Sequence, residues 1–295
     1  MSICFDPKIR VTLQRLGFIE DPFSDFIDTR FLCYTEQHRQ VMMRVLDDIQ
    51  GQASIICVTG EAGTGKSILA RRLYQLLQNE NKYKTAFYAD PQFSTLGSLY
   101  LALAYSFNLH VHKEIVERIM AFEDFIDITG NKGALILLII DNADELGDED
   151  FQSLIKLYKP RTPQEKTVRL VFFGRPTFLS NFSKLHYQRN IDYKSIEILP
   201  LSLADVSALI NYRCFVGGKP LLFSDNAIEK FHSISKGNPQ TIIRLGKLLL
   251  YAVAYKQKQF VDSDDIEFTL SLWKNQIDSL GERNPNQIVY NSKDS

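Results

Sequence analysis

The sequence predicts an α/β protein: a mostly parallel, five-stranded sheet followed by a small all-helical domain. Three observations carry that expectation. Strand-like and helix-like segments alternate from residue 54 to about 200, as in a parallel sheet covered by helices. The run Ala134-Leu-Ile-Leu-Leu-Ile-Ile140 is continuously apolar rather than alternating, as expected of a strand buried on both faces. After Leu199-Pro200-Leu201 the strand pattern stops and helical periodicity takes over.

In chain order, the patterns predict strands at 54–59, 85–90, 135–141, 168–174 and 195–199. Helices are expected between them at 67–78, 96–107, 113–127 and 148–158. Four more follow at 204–216, 224–235, 239–255 and 263–273, with Ser224 and Asp262 supplying capping side chains at the start of two of them. The polar stretch from Gly281 has few apolar residues and reads as a flexible tail. The expected segments are therefore 1–45, an amino-terminal stretch rich in aromatics; 46–199, the α/β core; 200–275, a helical lid; and 276–295, the tail.

Length and composition fit this plan. A chain of 295 residues, 45% hydrophobic and 23% charged, can bury a full core. A net charge of −1 gives no global basic footprint for nucleic acid or acidic membrane, although a local patch is compatible with it. The amino terminus lacks a signal-peptide pattern, and the strongest apolar run is too short to span a bilayer, so a cytoplasmic protein without a membrane span is expected. Cys4, Cys33, Cys57 and Cys214 have no paired spacing and read as plain thiols. His110 and His112 could meet on one face of a strand, but no Cys or carboxylate cluster completes a metal site beside them.

The first predicted strand runs into Gly60-Glu61-Ala62-Gly63-Thr64-Gly65-Lys66-Ser67, then into a helical pattern beginning at Ile68. This is the P-loop spacing G-x-x-x-x-G-K-[ST]. Gly60, Gly63 and Gly65 let the backbone turn its N–H groups around phosphates, Lys66 reaches the terminal phosphates and Ser67 ligates Mg²⁺. The positive end of the following helix acts on the same anion. The expected ligand is ATP with Mg²⁺.

A magnesium-holding carboxylate is needed, and Asp141 supplies one at the end of the buried apolar strand. The next residues read Asn142-Ala143-Asp144-Glu145, where many ATPases have a glutamate directly after the aspartate. Asn142 cannot take a proton at neutral pH. Asp144 and Glu145 are the carboxylates left to do so, and Asp144 is favoured because a turn straight into helix would bring it to the γ-phosphate region.

A P-loop core followed by a four-helix lid is the layout of an AAA+ ATPase. The chain further resembles the ExeA-type family, named for general secretion pathway protein A and including pilus-biogenesis ATPases of the MshM type. The run Leu16-Gly17-Phe18 through Pro22-Phe23-Ser24, with Arg30-Phe31 and Thr35-Glu36-Gln37-His38, is similar to that family's amino-terminal box. Asp90-Pro91, Phe172-Phe173-Gly174-Arg175-Pro176, Leu199-Pro200-Leu201 and Ser235-Lys236-Gly237-Asn238-Pro239-Gln240 complete the likeness, which covers roughly residues 14–273.

The resemblance implies roles for several further residues. Arg175 stands at the usual sensor 1 glutamine, where its cation could contact a γ-phosphate. Gln240 stands at the sensor 2 arginine of the lid, with Arg244 one helical turn later as a substitute. Arg189 aligns with a family arginine that reaches a neighbour's nucleotide, a surface role being equally open.

Two side-chain groups are read directly from the residues. Phe18, Phe23, Phe26, Phe31 and Tyr34 are expected mainly to anchor the amino-terminal segment to the core, with one or two touching an adenine. Lys156, Lys159, Arg161, Lys166 and Arg169 form a solvated basic loop or, alternatively, a DNA track. Three functions stay open at this point. One is an ATPase that self-associates and serves subunits of an envelope secretion or pilus machine. Another is a DNA-bound regulator resembling the TnsC and TniB transposition ATPases, with duplex DNA and a transposase as partners. The last is a slow nucleotide switch or scaffold.

Overall fold

The computed structural model describes residues 7–24, 29–51, 53–91, 93, 95–157, 167–180, 182, 193–219, 222–258 and 260–279. Its elements run α1 (Pro7–Leu16), α2 (Glu36–Gln50), β1 (Ile55–Gly60), α3 (Lys66–Leu77), β2 (Tyr83–Tyr88), α4 (Leu96–Ser106) and α5 (Ile115–Asn131). They continue with β3 (Leu135–Ile140), α6 (Asp148–Leu157), β4 (Val168–Gly174) and β5 (Lys194–Ile198). The last four are α7 (Leu203–Val216), α8 (Asp225–Ser235), α9 (Pro239–Tyr255) and α10 (Ser263–Ser279).

The five strands form one sheet in the order β2-β3-β4-β1-β5, parallel at every pairing. Successive side chains on a strand point to opposite faces, and here both faces are covered. Ile55 and Cys57 of β1, Leu138 and Ile140 of β3 and Phe172 of β4 pack with Leu99 and Leu103 of α4, Phe122 of α5 and Phe151 of α6. Their neighbours Ile56, Val58, Leu137, Ile139, Val171 and Phe173 pack on the other face with Val41, Val45 and Ile49 of α2 and Leu69 and Leu73 of α3. Double burial explains why β3 reads as a continuous apolar run.

The strands lie where the patterns placed them, with ends displaced by one or two residues; β2 starts at Tyr83 because Tyr83 already pairs with Leu135. Helix α2 is an addition to the expected elements. The Thr35 side chain accepts the His38 N–H at its start, and its buried Val41, Met42, Val45 and Ile49 repeat at helical spacing.

By contacts, the chain divides into two compact units, and the division differs from the expected segments. The sheet unit holds residues 34–201 together with 238–240, so it includes α2. The helical unit holds α7, α8, α10, α9 from Thr241 onward, and the residues up to Cys33. Within it Phe18, Phe23 and Phe31 are buried. Phe23 fills the space over Gly246, where an added Cβ would fall 2.4 Å from its ring, and meets Phe223 edge-on at 5.9 Å. These aromatics therefore anchor the amino-terminal segment among the lid helices rather than to the core. Tyr34 belongs to the sheet unit, with the Arg72 guanidinium 5.8 Å from its ring centre. Phe26, Cys4 and the tail from residue 280 lie outside the described residues.

Candidate nucleotide-binding site

Strand register assembles the site at the carboxyl edge of the sheet. Thr59 lies opposite Gly174 and Gly60 opposite Ile198, so the P-loop leaves β1 beside Arg175, which leaves β4. Ile140 pairs with Phe172, which brings Asp141 out of β3 on the far side of β4. An edge where the central strand has crossovers to either side is where open α/β sheets bind ligands.

The loop is built from its glycines. Gly63 and Gly65 have φ of +81° and +97°, a region that penalises a Cβ. Space is short as well: at Gly63 it would fall 2.6 Å from Gln240 Cβ and 2.7 Å from Asn238 Oδ1, and at Gly65 3.0 Å from His38 Nε2, whose ring would have to shift. Asn238 and Gln240 hold the loop from one side, the Asn238 amide donating to Ala62 O at 2.7 Å and the Gln240 N–H to Gly63 O at 3.3 Å. His38 holds it from the other, with Nε2 3.1 Å from Thr64 O and Nδ1 2.9 Å from the Thr35 hydroxyl. Because a carbonyl only accepts, Nε2 carries the proton and Nδ1 accepts from Thr35. The Thr64 hydroxyl donates to Glu61 O at 2.9 Å and closes the loop internally.

Lys66 is half-buried and donates to Gly60 O at 2.9 Å and Glu61 O at 2.8 Å. Burial pushes its pKa down, and the carboxylates of Asp144 and then Asp141 oppose that. Asp141 is buried and accepts from Ser67 and from the Asn142 N–H, the latter at 3.0 Å. Burial raises its carboxyl above the ordinary aspartate value, against the pull of Ser67, Asn142, Arg71 and Lys66. Asn142 has a left-handed backbone, φ +51°, and its side-chain amide donates to Ala89 O at 3.1 Å. Its side chain is thereby committed to the end of β2. Ala143–Glu145 form a 3-10 turn, which brings the Asp144 carboxylate to Arg175: Oδ1 accepts the Arg175 N–H at 2.9 Å and Oδ2 lies 2.9 Å from Arg175 Nε. Glu145 is exposed.

Of the residues singled out in the sequence, Gly60 through Ile68, Asp141, Asn142, Asp144, Arg175 and Gln240 all lie in the sheet unit. Arg244 is exposed on α9 of the helical unit, and Arg189 lies outside the described residues. The basic loop is only partly described: Lys156 is exposed, Lys159, Arg161 and Lys166 lie outside the described residues, and Arg169 is 6% exposed with Nη2 3.4 Å from Gly51 O. Arg169 is thus removed from any surface DNA track. His110 and His112 meet edge-to-face at 4.6 Å, and His112 lies 3.3 Å from Glu117. Among the described residues no helix is long and apolar enough to cross a membrane.

Two contributors to the P-loop were not identified from the sequence as site residues. His38 had a signal in the short motif that ends on it, and Asn238 in the Gly-Asn-Pro-Gln run, but neither motif states what it touches.

Residues 49–182 match the family described as the AAA domain. Over 259 residues the chain is 26% identical to general secretion pathway protein A of Aeromonas hydrophila, an alignment covering 85% of this chain and 46% of that protein. The chain thus spans less than half the length of that relative. Among solved structures, it superposes on Drosophila ORC bound to DNA with a TM-score of 0.62 at 12% identity, covering 97% of this chain and 72% of that one. With Cdc6p from Pyrobaculum aerophilum the TM-score is 0.54 at 15% identity, covering 86% and 71%. At those identities the likeness is one of fold alone. Residues 49–182 thus carry an AAA domain, and the chain is a distant relative of general secretion pathway protein A.

Proposed function

We propose that this protein binds ATP with Mg²⁺, self-associates when it does so, and couples its nucleotide state to assembly of a bacterial envelope secretion or pilus machine. The observation that carries the nucleotide part is the convergence of the P-loop, Asp141, Asp144 and Arg175 on one edge of the sheet. The distant kinship with general secretion pathway protein A supports the envelope part.

The donor set fits the metal. Asp141 is a buried carboxylate hydrogen-bonded to the Ser67 hydroxyl, and two adjoining hard oxygens of this kind suit Mg²⁺. Ser67 and Asp141 would hold the ion, which when bound neutralises charge on the phosphate oxygens. The loop N–H groups and Lys66 bind the phosphates, and Lys66 must exchange its loop carbonyls for phosphate oxygens to do so. Arg175 reads the γ-phosphate. With Asn142 occupied by Ala89 O, the carboxylate that takes the proton of the attacking water is Asp144, and hydrolysis is slow.

Isothermal titration with ATP and Mg²⁺ tests the assignment. Lys66→Ala is expected to weaken binding by at least about tenfold, since it deletes a charge-assisted contact. Equal affinity in the two proteins would overturn the phosphate assignment.

A further inference from the structure

The Asp144–Arg175 pair is more than two neighbouring charges. Asp144 accepts from both the backbone N–H and the Nε of the same residue, each at 2.9 Å, which fixes the arginine at its backbone and along its side chain. The carboxylate is 12% exposed and the guanidinium 57%, so one partner is anchored and the other faces solvent. Close packing holds the carboxylate in place: a Cβ on Gly174 would fall 3.1 Å from both Asp144 N and Asp144 Oδ1. The register of Thr59 with Gly174 sets Arg175 beside the first glycine of the P-loop. The charges of both Asp144 and Arg175 are felt by Lys66.

Asp144 takes the Nε edge of Arg175, so a γ-phosphate that draws the guanidinium toward the loop competes with the aspartate for it. We propose that Asp144 latches Arg175 when no γ-phosphate is present, and that ATP releases the latch by drawing the Arg175 guanidinium away. Two consequences follow. ATP binding bears the cost of breaking the pair while ADP, which offers no γ-phosphate, leaves it intact. With ATP bound, the Asp144 Oδ2 that held Arg175 Nε is released to accept a hydrogen bond from water. The latch rests on the ATP-binding reading above and assigns Asp144 a positioning role toward Arg175 in addition to its proposed role as base.

Titration calorimetry with a non-hydrolysable ATP analogue and with ADP, on four proteins, separates the possibilities. Asp144→Asn keeps the shape but weakens the hold on Arg175, and is expected to raise analogue affinity about two- to fivefold relative to ADP, the range of a partly exposed ion pair. Arg175→Gln is expected to lower the analogue-to-ADP affinity ratio by about tenfold. Removing a negative charge near phosphates would by itself favour ATP, so the double variant decides the matter. In the Arg175→Gln background, Asp144→Asn should no longer change the ratio, because there is no cation to release. An unchanged gain in that background means simple electrostatics and overturns the latch while leaving ATP binding intact. Failure of the wild type to bind either nucleotide overturns the ATP reading and the latch with it. ADP affinity serves as the measure that each variant retains a folded P-loop.

Discussion

Asn142 concentrates the question of turnover. A carboxylate acting as general base contributes on the order of 10²–10⁴ in rate, or roughly 3–5 kcal/mol of barrier, and the amide at this position offers none of it. The left-handed backbone at Asn142 is one that asparagine tolerates better than most residues, and its amide is held by Ala89 O. Asn142→Glu gives up that hydrogen bond and adds a carboxylate, and is expected to raise turnover with little change in ATP affinity. Asp144→Asn is expected to abolish the remaining activity. Single-turnover hydrolysis on the three proteins checks both, and robust hydrolysis that survives Asp144→Asn would overturn the role of Asp144. Residues whose chemistry depends on local spacing, Gly60 to Ser67 and Asp141, were legible in the sequence because a strand, a loop and a helix start fix their positions. The hold of Asp144 on Arg175 and of His38 on Thr64 was not, since register across the sheet and the path of α2 decide them.

Between elements, buried Arg213 of α7 is the clearest tie. It is 5% exposed, and its guanidinium donates to the carbonyls of Pro22, Ser24 and Phe31 while lying 5.4 Å from the Phe31 ring centre. Three carbonyls of the segment after α1 thus gain donors from one side chain, which ties that segment to α7. Arg213→Met would leave those carbonyls short of a donor inside the helical unit, at a cost of about 3 kcal/mol, the scale for removing one side of a buried charged contact. Hydrogen exchange is expected to show lost protection over residues 17–33 and α7, with β1, β3 and β4 still protected. Retained protection over 17–33 would show that Phe18, Phe23 and Phe31 suffice without the arginine. The aromatic residues of this segment stood out in the sequence, but their partners did not. Arg213 lies 191 residues from Pro22, and nothing in the periodicity of α7 marks an arginine as buried.

At the scale of the molecule, the parallel sheet and the helical run after residue 200 were readable because both follow from periodicity and double burial. The grouping of residues up to 33 with the later helices was hidden, because it depends on contacts between the two ends of the chain. Self-association belongs to this scale. Bound ATP would place several negative charges at the sheet edge, beside Lys66 and Arg175. A further arginine from a second copy would stabilise charge developing on the transferred phosphate, and Arg189 is the proposed source. Light scattering at tens of micromolar, roughly the range of weak interfaces, is expected to show larger particles with a non-hydrolysable ATP analogue than without it, and no such change for Lys66→Ala. Arg189→Ala should bind ATP normally and turn it over slowly. Mixing it with Lys66→Ala should recover part of the lost turnover, because the intact P-loop of the first then faces the intact arginine of the second. A protein that stays monomeric with the analogue bound would overturn the shared site, and mixtures with no gain over the separate variants would remove Arg189 from it.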